Sequence, residues 1–213
     1  MRKKAKILIM VAILVLTCVT AVAAQNNFPG EESAKQMGFA LKDSAKTLIN
    51  KGSNLSKNYG QDQDNTVAII MGEEVSKEYF MYRMSLYEAC HAENPAQDTW
   101  NLVKKQAFER NFADSHQLLP SEADIIAATN QQRELAESTK ESHEIAKTLI
   151  NSMGLSEDEY WNTFKPKYET EPLLISENVA AYCSENNVSE ADLGDIEYEV
   201  TNTAFFDELN VKY

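Results

Sequence analysis

Basic residues are scarce in this 213-residue chain, and their scarcity limits the partners it can have. There are 20 lysines and arginines against 33 aspartates and glutamates, which gives a formal net charge of −13. Because nucleic-acid binding needs clustered basic side chains to neutralise phosphates, we expect no nucleic-acid partner.

The sequence also lacks the short motifs that mark common active sites. It has no G-x-S-x-G nucleophile motif, no P-loop, no dinucleotide-binding glycines and no H-E-x-x-H metal motif. His91, His116 and His143 have unrelated spacings, and we interpret each as a surface residue. We therefore expect no catalytic residue, no metal site and no cofactor, and an enzyme with an unrecognised carboxylate site ranks last among the alternatives.

Only three cysteines are present. Thr17 before Cys18, and the apolar residues after it, argue against a lipoprotein signal. Cys90 and Cys183 could form one disulfide in an oxidising compartment, although a chain of this length should bury enough core without one. Two buried thiols are an equally good interpretation of this pair.

Residues 1–24 have the features of an export signal. Arg2, Lys3, Lys4 and Lys6 precede an uncharged run from Ile7 to Ala24 that ends in small residues, as signal peptidase requires. The run exceeds the usual apolar region of a signal peptide, about 7–15 residues, and approaches a membrane span of about 17–25. We favour a cleaved signal peptide, with an uncleaved anchor through residues 7–24 as the alternative. Either interpretation predicts an extracytoplasmic protein, secreted or tethered to the outer face of the cytoplasmic membrane.

Residues 25–65 are predicted to form a helical arm and a polar linker. The segment Glu31–Asn50 predicts one amphipathic helix, because its apolar residues recur at helical spacing. These residues are Met37, Leu41, Ala45, Leu48 and Ile49. The polar stretch after it indicates a linker. The arm could pack on the main domain or only space that domain from the membrane.

The main domain, residues 66–213, begins with a predicted strand. Val67–Met71 is short and apolar, Gly72 predicts a turn, and Ser76 is placed to cap a helix. A single strand leaves its backbone donors unpaired, so another segment must join it. The tail, residues 210–213, has alternating polarity and no glycine or proline. We therefore predict a two-stranded pair of residues 67–71 with residues 210–213.

The rest of the domain is predicted to be helical, so the fold class is mainly α. A capping box at Ser156 and Glu159 and a C-terminal glycine at Gly154 support two of the boundaries. The region 121–153 is either one long helix or two helices with a break near Asn130. The predicted helices cover about 77–92, 95–116, 121–153, 157–168, 172–185 and 189–209.

Two phrases resemble a known family. The stretch TVAIIMGEEVSKEYF, residues 66–80, is similar to the opening of the N-terminal domain of the SurA/PrsA-type extracytoplasmic chaperones of bacteria. Met71 departs from that phrase, in which an asparagine precedes the glycine. The stretch GLSEDEYW, residues 154–161, resembles a phrase of small SurA-N-like proteins and follows in the expected order. The residues that match the first phrase are Val67, Ala68, Ile70, Gly72, Val75, Glu78 and Phe80.

The resemblance implies a non-enzymatic, chaperone-like domain at about residues 66–213 that binds unfolded or extended polypeptides. The resemblance does not extend to the parvulin-type prolyl isomerase domain that larger members of the family carry. The alternative is a cell-surface structural or assembly protein that serves one fixed protein partner. The sequence makes no prediction of the oligomeric state.

Methionine and aromatic side chains suit surfaces that accept many sequences, and they supply the candidate peptide-binding residues. For each of them, filling of the core is the alternative. The candidates are Tyr79, Met81, Tyr82, Met84, Tyr87, Trp100 and Trp161.

Overall fold

The structure is a computed structural model that describes residues 30–51, 65–188 and 195–213. The predicted export signal and most of the predicted linker lie outside these ranges. Within them, no helix combines the length and the apolar character that a membrane crossing requires.

The described chain is mainly helical, as predicted, with one small sheet. The helical backbone continues without a break from Glu157 to Asn186, and two π-helical segments, π1 and π2, lie within that stretch. The helical elements are α1 (Gly30–Lys51), α2 (Lys77–Ala89), α3 (Pro95–Ser115), α4 (Glu122–Ala136), α5 (Lys140–Ser152), α6 (Glu157–Glu159), π1 (Tyr160–Phe164), π2 (Pro166–Thr170), α7 (Glu171–Asn186) and α8 (Thr203–Glu208).

The sheet has three antiparallel strands in the order β2-β1-β3, which corrects the predicted two-stranded pair. These strands are β1 (Thr66–Ile70), β2 (Glu73–Ser76) and β3 (Tyr198–Val200). In the register, Ile70 lies opposite Glu73 on one side and opposite Tyr198 on the other. Both edges of β1 are therefore occupied, and no edge remains for the C-terminal tail.

Met71 and Gly72 form the turn between β1 and β2. Their φ angles are 51° and 79°, so both residues lie in the left-handed region that two-residue hairpins of type I′ require. The carbonyl oxygen of Met71 accepts a hydrogen bond from Asn111 Nδ2 at 3.1 Å. Met71 thus adopts the left-handed conformation at the position where the similar SurA/PrsA phrase has an asparagine.

The predicted pairing of residues 210–213 is wrong because the tail packs against α3 instead. Asn210 has a φ of 55° and reverses the chain after α8, so that Val211 N donates to Phe206 O at 3.0 Å. Val211 is buried, and Lys212 N donates to Gln97 Oε1 at 2.9 Å. The tail closes the last helix and ties it to the first turn of α3.

Three predicted helix boundaries also need correction. The break in region 121–153 lies at residues 137–139 and not near Asn130, because Thr139 forms a capping box with Ser142 and starts α5. The helices predicted at 157–168 and 172–185 are one continuous helical stretch. The helix predicted at 189–209 is replaced, within its described part, by β3 and α8.

The amphipathic helix of the arm, α1, packs on the main domain, and this settles the alternative that the sequence left open. It lies against α2 and α5, and its apolar residues belong to the same core as the sheet. At Gly38 a Cβ atom would stand 2.5 Å from Ser152 Cβ and 2.6 Å from Leu149 O. The absence of a side chain at Gly38 thus allows α1 and α5 to approach closely.

Candidate binding site

Five of the seven candidate peptide-binding residues are buried. Met81 and Tyr87 are partly exposed. Core packing, the alternative interpretation, therefore describes most of this set. The buried five are Tyr79, Tyr82, Met84, Trp100 and Trp161.

The two described cysteines lie in different parts of the protein and are not bonded to each other. Cys90 packs against the main core at the end of α2. Cys183, on α7, packs against a second cluster formed by Ala113, Ile175 and Val179. Two thiols, and not a disulfide, are the arrangement in this structure.

The three histidines lie on separate elements. His91 follows α2 and is exposed, and His143 lies on α5. His116 stacks on Phe112 with a ring-centroid distance of 4.0 Å. No group of three or more histidine, cysteine or acidic residues in the described ranges could hold a metal ion.

A buried polar network joins α2 to the two π segments. The Lys165 ammonium lies 2.7 Å from Glu169 Oε2, and the Tyr82 hydroxyl donates to Glu169 Oε1 at 3.0 Å. Arg83 donates to the Tyr79 hydroxyl at 2.9 Å and to the Tyr168 carbonyl at 2.6 Å. Each charge in this network therefore has a partner, which a buried ion requires.

The electrostatics of the network favour one protonation state. Burial alone would raise the pKa of Glu169, but Lys165 and Arg83 hold it below its ordinary value. Burial, followed by the nearby charge of Glu169, raises the pKa of Tyr82. Burial likewise raises the pKa of Tyr168 to about 12, and its hydroxyl donates to Leu48 O at 3.0 Å. The tyrosines thus remain donors while Glu169 stays ionised.

A hydrogen bond between two buried threonines links α4 to the end of π2. Glu169 and Thr170 end π2, and α7 continues directly from them. The Thr129 hydroxyl, on α4, donates to Thr170 Oγ1 at 3.0 Å, and both residues are buried. π-helical turns are rare and occur often near functional sites, because they shift the side chains that follow. Here π2 runs directly into α7, whose Leu173, Leu174 and Glu177 line a crevice with residues of α4.

A shallow, open crevice lies between α4 and α7 and spans about 320 Å³, part of which is open solvent. Leu135 is 46% exposed at its edge, and Leu173 and Leu174 are half-buried. Sites that bind ligands are typically mainly apolar, with a few polar groups that orient the ligand. We refer to this feature as the α4–α7 crevice; it is lined by Ala128, Gln131, Gln132, Leu135, Leu173, Leu174 and Glu177.

The polar groups of the α4–α7 crevice have no partner among the described residues. Within the described chain, the side chains of Gln131, Gln132 and Glu177 make no hydrogen bond or ion pair. Burial raises the pKa of Glu177, and no neighbouring cation opposes this effect. Two carboxamides and one carboxylate are therefore available to a ligand above an apolar surface.

A second depression, beside Arg110, is a weaker candidate. It holds about 380 Å³ and is lined in part by Gln106, Lys167 and Pro172. Arg110 lies 3.0 Å from a Glu171 oxygen and 4.0 Å from the buried carboxylate of Glu73. Its charge is already balanced within the protein, so it has less to offer an external anion.

Sequence reasoning missed the α4–α7 crevice because its two walls are far apart in the chain. One signal was present: the middle of region 121–153 is polar, with Leu135 as its large apolar residue. An exposed leucine on an otherwise polar helix can mark a contact with another element. Nothing in the sequence indicated that α7 would form the other wall.

Comparison with protein-family models, with curated proteins and with solved structures gave no match to this chain. The resemblance to the SurA/PrsA-type chaperones therefore stays a prediction.

Proposed function

We propose that this protein is a non-enzymatic, extracytoplasmic chaperone-like protein that binds unfolded or extended polypeptides in the α4–α7 crevice. The observation that supports this proposal most directly is the crevice itself, with leucines beside carboxamides that have no partner in the described part of the chain. Carboxamide side chains both donate and accept hydrogen bonds, as peptide groups do. Such a surface can bind a polypeptide through groups that every sequence shares.

The exposed surface of α4 adds support. Leu135, which lines the crevice, is 46% exposed, and the one buried residue of this helix is Thr129. Leu135 lies together with Leu173 and Leu174 in the lining of the crevice, and apolar side chains that lie together at a surface often mark interaction sites. This helix therefore offers apolar surface to a partner while its own attachment to the core is small.

Suppression of aggregation tests the proposal. The protein, at near-stoichiometric amounts, should keep several unrelated unfolded proteins in solution, and Leu135→Ser should weaken that effect. The matched control is Phe39→Ser, because Phe39 is 56% exposed on α1 and does not line the crevice. Equal loss in the two variants would contradict the assignment to the crevice.

The alternative function, service to one fixed partner at the cell surface, differs in breadth of binding. It predicts no suppression for unrelated clients and one tight complex in a pull-down from the native cell envelope. Sequencing of the mature N-terminus tests the extracytoplasmic part of the proposal: a start at Ala24 or Gln25 supports export with cleavage.

A further inference from the structure

Glu177 is placed in the α4–α7 crevice without a cation to balance it. It lines the crevice together with Gln131 and Gln132 of α4, and no lysine, arginine or histidine is among the described residues of the lining. Arg133, the basic residue of α4, is already paired within the protein. It lies 2.7 Å from Glu137, and its guanidinium stands over the ring of Trp161. The carboxylate of Glu177 is therefore available to a cation from outside the described part of the chain.

A half-buried carboxylate carries a partial desolvation cost, which an approaching cation would offset. Desolvation disfavours the charged form, and this effect raises the pKa of Glu177. A ligand cation would restore the favourable electrostatics, and the net charge of −13 would attract such a ligand from a distance. Anionic and neutral ligands would gain neither effect.

The apolar lining restricts the ligand further. The stems of lysine and arginine side chains are aliphatic, so they can cover Leu173 and Leu174 while the charged end reaches a carboxylate. The exposed side chain of Leu135 can contact an apolar residue that lies next to the lysine or arginine of the ligand. The carboxamides of Gln131 and Gln132 can form hydrogen bonds with the peptide groups of the ligand.

We propose that the α4–α7 crevice selects segments of extended polypeptide in which a lysine or arginine is flanked by apolar residues, with the cation bound to Glu177. This inference rests on the proposed function and names its preferred client segments.

Fluorescence anisotropy with short labelled peptides tests this selectivity. The peptides share one leucine-rich sequence and differ at the central position, which is lysine, norleucine or glutamate. The lysine peptide should bind about tenfold more tightly than the glutamate peptide, the size expected for one partly desolvated ion pair. Its advantage should decrease as the salt concentration rises.

Two variants assign the effect to residues. At a salt concentration that screens the net charge, Glu177→Gln should bring the three affinities to within about twofold of one another, because it removes the local charge and keeps the shape. Glu134→Gln is the matched control, since Glu134 is exposed on α4 and does not line the crevice. Leu135→Ser should weaken the binding of all three peptides, and thermal melting of each variant verifies that it is folded.

The possible outcomes separate this inference from the proposed function. Equal affinities for the three peptides, or an unchanged preference in Glu177→Gln, would overturn the charge selectivity and leave polypeptide binding intact. Absence of binding to every peptide, together with no suppression of aggregation, would overturn both. If sedimentation shows a dimer that Leu135→Ser dissociates, a second copy of the chain occupies the crevice and the inference is wrong.

Discussion

Glu169 is the residue on which the buried network depends. Its two oxygens bind Lys165 and Tyr82, and Lys165 is itself buried. Removing one member of a buried ion pair leaves the other charge without compensation, which typically costs about 3–5 kcal/mol. The sequence suggested no such role, because the spacing of Lys165 and Glu169 equally fits an ordinary surface pair on a helix.

We predict that Glu169→Gln lowers the free energy of unfolding by about 3–5 kcal/mol near neutral pH. The pKa of Glu169 in the folded state is below the ordinary value of 4.5. Its stabilising contribution is therefore complete above that value and is lost as the pH falls through the folded pKa. The difference between wild type and variant should decrease in acid, as measured by chemical denaturation at several pH values.

The control for this measurement is Glu137→Gln. Glu137 also pairs with a basic residue four positions away, Arg133, but both side chains are more than a third exposed. Exposed pairs contribute about 0–1 kcal/mol. A loss as large as that of Glu169→Gln would mean that burial does not set the strength of the network.

At the scale of elements, the strand β3 replaces the C-terminal tail as the partner of β1. Met71 N donates to Glu197 O at 2.8 Å and Thr201 N donates to Val67 O at 3.1 Å. Because hydrogen-bonded pairs alternate in an antiparallel ladder, Glu199 exchanges both bonds with Ile69. The middle of β3 is therefore its most sensitive point.

We predict that Glu199→Pro lowers stability by at least about 1 kcal/mol, since it removes one donor from the ladder. Hydrogen exchange at the amides of Ile69 and Met71 should become faster. Deletion of residues 211–213 should lower the melting temperature through loss of buried Val211, with little change at those two amides. Faster exchange at Ile69 after the deletion would show that the tail supports the sheet.

Local signals in the sequence predicted the elements well where the residues themselves define the end of a helix. Ser76 accepts a hydrogen bond from Tyr79 N at 3.2 Å, and Asn94 caps α3, as expected. The capping box of Ser156 and Glu159 is confirmed. These features depend on neighbours within four positions, so the sequence shows them directly.

Elements defined by distant contacts could not be predicted in this way. The pairing of β3 with β1 joins residues about 130 positions apart. The segment that contains β3 carries Glu197 and Glu199, and its acidic residues made a helix the better local interpretation. The helical stretch continues through Pro172 although proline interrupts the hydrogen bonds of an α-helix. The turns before this proline are π-helical, and their hydrogen bonds span one residue more than those of an α-helix.

At the scale of the whole molecule, α1 contributes to the core through a glycine contact. We predict that Gly38→Ala lowers the free energy of unfolding by about 1–3 kcal/mol, because the added Cβ pushes α1 away from Ser152 and Leu149. Helix propensity alone would give the opposite sign, a gain of about 0.5–1 kcal/mol. Chemical denaturation measures the difference.

Ala40→Gly, at an exposed position of the same helix, measures the propensity term separately. A stabilising effect of Gly38→Ala would mean that α1 is not held against α5 in solution. The sequence predicted the apolar face of α1, but it did not show whether that face had a partner.

The two tryptophans give this protein two independent optical reporters. Trp161 lies on π1 beneath Arg133 of α4, whereas Trp100 is enclosed by Tyr198 and Phe206 on the side of the sheet. A guanidinium over an indole changes its emission, so movement of α4 should alter the fluorescence of Trp161. In a Trp100→Phe variant, a peptide that enters the crevice and displaces α4 should therefore change the emission spectrum. In a Trp161→Phe variant the same peptide should leave the emission unchanged.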